Sequence, residues 1–267
     1  MKLYISADIE GITGIGHWDE TDKKAPGDYT PFQEQMTAEV AAVCEAAISQ
    51  GVEEILVKDA HDSGRNLILD RLPEIVKVVR GWAGNPSSMV QELDNSFDAA
   101  MFIGYHSRAG AGSNPLSHTL SGSMLASINI NGKDVSEFYL HAMLATRLKV
   151  PVVLVSGDRG LCDEVAEWNA NIRTVPVLEG IGNSVVTIHP RKAVRLLHEA
   201  VRDALNGDLA DCLLPTADRY TIRLNFKRHQ DAYRASWYPG AKLEAPTTAS
   251  YEHDDFFEIM RFIMLAF

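Results

Sequence analysis

The sequence predicts an α/β protein: a mainly parallel sheet flanked by helices, with a smaller C-terminal α+β region. Two observations carry that reading. Four apolar runs, "KLYISA", "EEILVKDAHD", "AAMFIGYHS" and "PVVLVSGD", recur through the first two-thirds of the chain, separated by helical or partly helical stretches. Beyond about residue 165 the order changes, to an amphipathic helix, a β-like stretch and a final helix. The division expected is 1–165 and 166–267, or one continuous unit without a sharp boundary.

The elements follow in order. "KLYISA" reads as a buried first strand, followed by Asp8, Glu10 and a polar loop, "HWDETDKKAPGDYT". The next segment, "TPFQEQMTAEVAAVCEAAISQG", has marked ends: Thr30 as N-cap, Pro31 in the first turn, Gln33 completing a capping box and Gly51 as the stop. Strands two and three end in "VKDAHD" and "FIGYHSRAG". In "ASININGKDVSEFYL", Asn131-Gly132 is a hairpin turn signal, and a helix is expected to start near Ser136. Strand four ends at Asp158. "HPRKAVRLLHEAVRDALNGD" is an amphipathic helix, "DRYTIRLNFKRHQDAYRASW" is β-like, and "HDDFFEIMRFIMLAF" is a closing helix through Phe267.

Composition narrows the function. With 46% hydrophobic and 23% charged residues among 267, the chain can bury a sizeable core. Acidic residues outnumber basic ones, 36 to 25, giving a formal charge of -11. That balance argues against a nucleic acid or an anionic membrane surface as partner, since both require clustered cations. Cys44, Cys162 and Cys212 are widely spaced and odd in number, a pattern expected of a reducing, cytoplasmic compartment. No apolar run reaches the ~18 residues of a membrane span. "GYHSRAGAGSNP" lacks both the P-loop lysine and a G-x-G-x-x-G spacing, so no nucleotide cofactor is expected.

In parallel α/β sheets ligands bind beyond the carboxyl ends of the strands. There the chain places Asp8 and Glu10 after strand one, Asp59 and His61 after strand two, His106 after strand three, and Asp158 after strand four. Glu137 follows the hairpin. Asp8 and Glu10 share a face at strand spacing, where two carboxylates repel unless a cation lies between them. Carboxylates and imidazoles without a thiolate suit Zn²⁺, Mn²⁺ or Fe²⁺, and a carboxylate can bridge two ions. His118, in "NPLSHTLSG", is a candidate general acid/base or nucleophile beside them. The other histidines, His17, His141, His189, His198, His229 and His253, read as structural or surface residues.

These motifs, "KLYISADIEGITG", "ILVKDAHDSGRNL", "FIGYHSRAG", "LSHTL" and "NGKDVSEFYLHA", together resemble the zinc-dependent D-aminopeptidases of bacterial dipeptide-permease operons along most of the chain. The resemblance implies a dinuclear zinc site: Asp8 bridging, Glu10 and His61 completing one position, His106 and Glu137 the other. It implies His118 as the catalytic histidine, either nucleophile or proton carrier beside a zinc-activated water. It also implies a homodecamer around an internal chamber, acting on short peptides with N-terminal D-residues. Ala60, where the family often has Ser, and the segment Gly16 to Tyr29 depart from the pattern. Two other readings remain at this point: a metal-dependent phosphohydrolase, suggested by the acid pair after strand one, and a metal-binding homologue without catalysis.

Overall fold

The computed structural model describes residues 1–266, so Phe267, the last residue of the expected closing helix, lies outside the described residues. The first strand, β1 (Lys2–Ala7), leads into helix α1 (Pro26–Ser49), then β2 (Glu54–Asp59), β3 (Val76–Val79) and β4 (Ala99–Tyr105). A hairpin, β5 (Leu125–Ile130) and β6 (Lys133–Asp134), precedes α2 (Glu137–Arg147), β7 (Val152–Asp158) and α3 (Arg159–Trp168). The chain continues through β8 (Arg173–Ile181), β9 (Ser184–Thr187), α4 (Pro190–Leu205), β10 (Tyr220–Phe226) and α5 (His229–Ala235). It ends in β11 (Lys242–Ala245), β12 (Thr248–His253) and α6 (Phe256–Ala266).

The four apolar runs form β1, β2, β4 and β7 of a seven-stranded sheet, ordered β3-β2-β1-β4-β7-β8-β9. All neighbours are parallel except β9, which returns antiparallel to β8. β1 lies between β2 and β4: Ile5 pairs with Val57 on one side and Met101 on the other. A second, antiparallel sheet runs β11-β12-β10-β5-β6. Helix α2 touches β4 and β7 as well as α6, and α6 rests on β10 and β12, so these two helices connect the sheets. Residue 165 falls inside α3, and strands from both sides of it enter each sheet.

Locally encoded features stand where the sequence puts them. Asn131 and Gly132 both take positive φ, 51° and 88°, as a two-residue hairpin turn requires. Ser136 caps α2, its hydroxyl accepting from the Tyr139 N–H. Other expectations need correction. Helix α1 begins at Pro26, with Ala25 as its N-cap, and Pro31 lies within it. The Thr30 hydroxyl does not cap; it donates back to the Pro26 carbonyl at 2.7 Å. The early start is held from outside the helix, by the buried Tyr29 hydroxyl donating to Asn66 Oδ1 at 2.9 Å. The segment before β4 holds strand β3 and a 3-10 turn, Ser88–Val90, rather than a helix. The second half of the β-like stretch is helix α5. Strand β8, not among the four expected strands, carries Pro176 opposite Gly157 of β7 and ahead of the β9 pairing, which begins at Leu178. Among the described residues no helix is long and apolar enough to cross a membrane.

One close approach sets the site. After β1 the chain folds over the end of β4: the Asp8 N–H donates to the Ile103 carbonyl and the Gly11 N–H to the Gly104 carbonyl, both at 2.8 Å. Gly104 takes φ +72°, and a Cβ there would stand 2.4 Å from the Asp8 carbonyl oxygen. A Cβ on Gly11 would be 1.8 Å from the Tyr105 carbonyl oxygen. Only glycines allow this crossing, and it fixes where Asp8 points.

Candidate metal centre

Asp8 follows β1, His61 follows β2 and His106 follows β4, and the order β2-β1-β4 puts Asp8 between the two imidazoles. His61 Nδ1 lies 3.4 Å from Asp8 Oδ1 and 3.1 Å from Glu10 Oε2. On the other side, His106 Nε2 lies 3.6 Å from Asp8 Oδ2 and 3.3 Å from Glu137 Oε2. Glu137 arrives as the first residue of α2, delivered by the Ser136 cap. His118 comes from the loop between β4 and β5, its Nε2 3.6 Å from Glu137 Oε1 and its ring stacked on His106 at 4.4 Å. The six residues that the family resemblance implies, Asp8, Glu10, His61, His106, His118 and Glu137, therefore meet in one place.

The donor atoms form two groups that share one residue. Asp8, Glu10 and His61 offer atoms within 4.8 Å of one another, and so do Asp8, His106 and Glu137. A third set, Glu10, His106 and His118, overlaps both. Each imidazole is oriented by a backbone carbonyl, which can only accept. His61 Nε2 donates to Thr21 O at 3.0 Å, leaving Nδ1 facing the carboxylates. His106 Nδ1 donates to Ser107 O at 3.0 Å and His118 Nδ1 to Leu116 O at 2.9 Å, leaving each Nε2 free.

The polar atoms left over fit a cation. Asp8 Oδ2, Glu10 Oε2 and His106 Nε2 are buried without a hydrogen-bond partner. Lone pairs would face lone pairs across 3.1–3.6 Å unless a proton or a metal ion lies between them. Without a metal, protons take that place. Burial alone pushes His61 and His106 down, but Glu10 and Asp8 around His61, and Glu137 around His106, outweigh it and hold both imidazoles well above their usual value. Burial, with the Glu10 charge added, pushes the Asp8 carboxyl up. Burial acts on Glu137 in the same sense, but His106 and His118 overcome it and draw the carboxyl down to about 2. With O and N donors and no thiolate, the set suits a borderline divalent ion such as zinc.

Two strand-end acids do not join. Asp59 accepts the Leu67 N–H at 2.8 Å and the Asn66 side chain at 2.7 Å, pinning the loop after β2. Asp158 caps α3 through the Leu161 N–H at 2.9 Å and also takes the Ser107 N–H. His17 caps a 3-10 turn, and buried His141 donates to the Glu137 carbonyl at 2.7 Å. The cluster opens into a cavity of about 470 Å³ whose remaining lining is largely apolar, including Trp18, Trp82, Met89, Leu120, Met260 and Ile263. These residues carried no signal in the sequence, because an isolated Trp or Met reads as core.

The chain matches, over residues 1–265, a peptidase family model described as D-aminopeptidase. A D-aminopeptidase of Bacillus subtilis (strain 168) is 34% identical over 253 residues, covering 93% of this chain and 89% of the relative. A solved structure, the Zn-dependent D-aminopeptidase DppA from Bacillus subtilis, described as a self-compartmentalizing protease, superimposes with a TM-score of 0.91. It is 32% identical, and the match covers all of this chain and 98% of that one. A family match of this length sets aside the phosphohydrolase reading. The chain belongs to the D-aminopeptidase family of peptidases.

Proposed function

We propose that the protein is a zinc aminopeptidase that removes N-terminal D-residues from short peptides or amides. The observation that carries the proposal is the shared position of Asp8 between the Glu10–His61 and His106–Glu137 groups. Those five residues would hold two zinc ions, and the ions supply a polarised scissile carbonyl and a water nucleophilic near neutral pH. The chain's own residues do the rest. Asp62, an acid of the cavity lining outside those five, favours a substrate carrying a free ammonium, which gives selectivity for the chain end. His118 presents Nε2 at the cavity, 3.6 Å from Glu137 Oε1, while its Nδ1–H is held by Leu116 O. It is placed to hold a proton at Nε2 and pass it to the departing amine, a role for which its one free nitrogen is sufficient.

We extend the proposal to assembly. The homodecameric chamber implied by the family would cover exposed apolar side chains such as Trp237, 72% exposed, and Val186, 64% exposed. Sedimentation velocity should then report a species near ten times 29.4 kDa, and a monomer at micromolar concentration would refute the assembly. Three buried, unpaired cysteines accord with a reducing cytoplasmic setting.

Metal content of the purified protein, measured with amino-acid release from D-Ala-D-Ala and L-Ala-L-Ala, tests the main reading. About two zinc ions per chain with faster release from the D-peptide is the expected result. A chain that binds no zinc after supplementation would overturn it.

A further inference from the structure

Lys58 is a buried cation that the chemistry above does not use. It is 0% exposed, and among the described residues no carboxylate forms an ion pair with it. Its ammonium donates to two carbonyls, Asp59 O at 2.8 Å and Gly81 O at 2.7 Å, and lies 3.8 Å from the centroid of the Trp82 ring. Burial pushes its pKa down to about 8. A desolvated ammonium is costly to retain, and two of its three contacts, Gly81 O and the Trp82 ring, lie on one segment, which the third, Asp59 O, ties to the end of β2.

The same segment is fixed from other directions. The Trp82 indole N–H donates to the Asp62 carbonyl at 2.6 Å. The Gly81 N–H donates to Gly64 O at 2.8 Å, and a Cβ on Gly64 would stand 2.8 Å from that nitrogen. Trp82 is nevertheless 42% exposed, and it lines the cavity that holds the metal cluster. A half-exposed indole clamped at its ring, its N–H and its backbone is a preformed wall rather than a core filler. Met89, Met260 and Ile263 line the same cavity, and methionines adapt to varied apolar shapes. The lining includes no lysine or arginine, while Asp62 adds a further acid. At about 470 Å³ the cavity exceeds what an alanine side chain fills.

Resting on the aminopeptidase reading, we infer that Trp82, Met89, Met260 and Ile263 form a subsite for a bulky apolar side chain next to the cleaved bond, with Lys58 as the positioning residue for Trp82. Leu- or Phe-like substrates are therefore preferred over alanine, and acidic side chains are rejected.

The test uses the zinc-loaded protein with D-phenylalaninamide, D-leucinamide, D-alaninamide and D-aspartamide, together with D-Ala-D-Phe and D-Ala-D-Ala. The expected kcat/KM is at least ~10-fold higher for a Phe or Leu substrate than for its alanine counterpart, in one series or the other. Trp82→Ala should collapse that ratio mainly through KM, and Trp82→Phe, which keeps a ring over Lys58, should restore part of it. Lys58→Met should collapse it in the same way; should that variant fail to fold, Met260→Ala reads the same wall. Equal use of alanine and phenylalanine in both series, or a Trp82→Ala loss confined to kcat and equal for all substrates, overturns the subsite while leaving the aminopeptidase intact. Calorimetric binding of free D-phenylalanine against D-alanine reads the subsite independently of turnover. Tighter binding of D-phenylalanine that Trp82→Ala abolishes supports it even if no peptide is cleaved, and equal binding overturns it.

Discussion

Asp8 reaches His61 at 3.4 Å on one side and His106 at 3.6 Å on the other, so its loss should be felt at both metal positions. Asp8→Asn is expected to reduce zinc from about two ions per chain to below one, with activity falling about 10³-fold; elemental analysis beside a peptidase assay checks it. His118→Ala should separate the two properties, retaining the metal while kcat drops about 10²–10⁴-fold. Loss of zinc in that variant would make His118 a ligand instead. At this scale the sequence was informative but not selective. Asp59 and Asp158 carry the same signal as Asp8, an acid after a buried strand, yet they spend their oxygens on the backbone of Leu67 and Leu161. Which acid meets a cation and which meets an amide depends on the backbone that reaches it: Asp59 takes the loop that follows its own strand, and Asp158 takes both the start of α3 and the distant Ser107 N–H.

Elements deliver these residues, and the weak point is the crossing of the β1 loop over β4. Gly104→Ala would force a Cβ 2.4 Å from the Asp8 carbonyl, at φ +72°. We expect a destabilisation of about 2–4 kcal/mol, read by thermal or urea unfolding, accompanied by weaker zinc binding because Asp8 moves with that carbonyl. Unchanged zinc affinity in a folded variant would show that the crossing does not aim Asp8. Features whose cause is local were legible: the Asn131-Gly132 turn and the Ser136 cap follow from residues adjacent in sequence. The start of α1 was misread because its first turn is held by Asn66, 37 residues from Tyr29. Strand β3 escaped notice because it is a short, partly exposed edge strand with little apolar contrast.

For the whole molecule, the cluster makes metal and stability inseparable. In the metal-free chain His61 and His106 have folded pKa values well above the usual 6.5, held there by their carboxylates against burial. A raised folded pKa contributes stability that is complete below the unfolded value and disappears as pH rises through the folded one. The metal-free protein should therefore lose thermal stability on going from neutral to alkaline pH. The zinc-loaded protein, in which a cation replaces those protons, should keep it over the same range. Melting curves with and without chelator across that range check the sign, and parallel curves would show that the cluster is not coupled to folding.

The sequence by itself determined the fold class and the family, and it named six side chains that the fold brings together, because strand, cap and motif signals lie within a few residues of their cause. The tertiary structure alone decided that β1 lies between β2 and β4, which makes Asp8 the carboxylate common to both groups of donors. It also decided the apolar wall, where Trp82 and Met89, from one segment, meet Met260 and Ile263 from a distant part of the chain. Strand order and cavity lining arise from contacts between residues far apart in sequence, and spacing along the chain contains no measure of that distance.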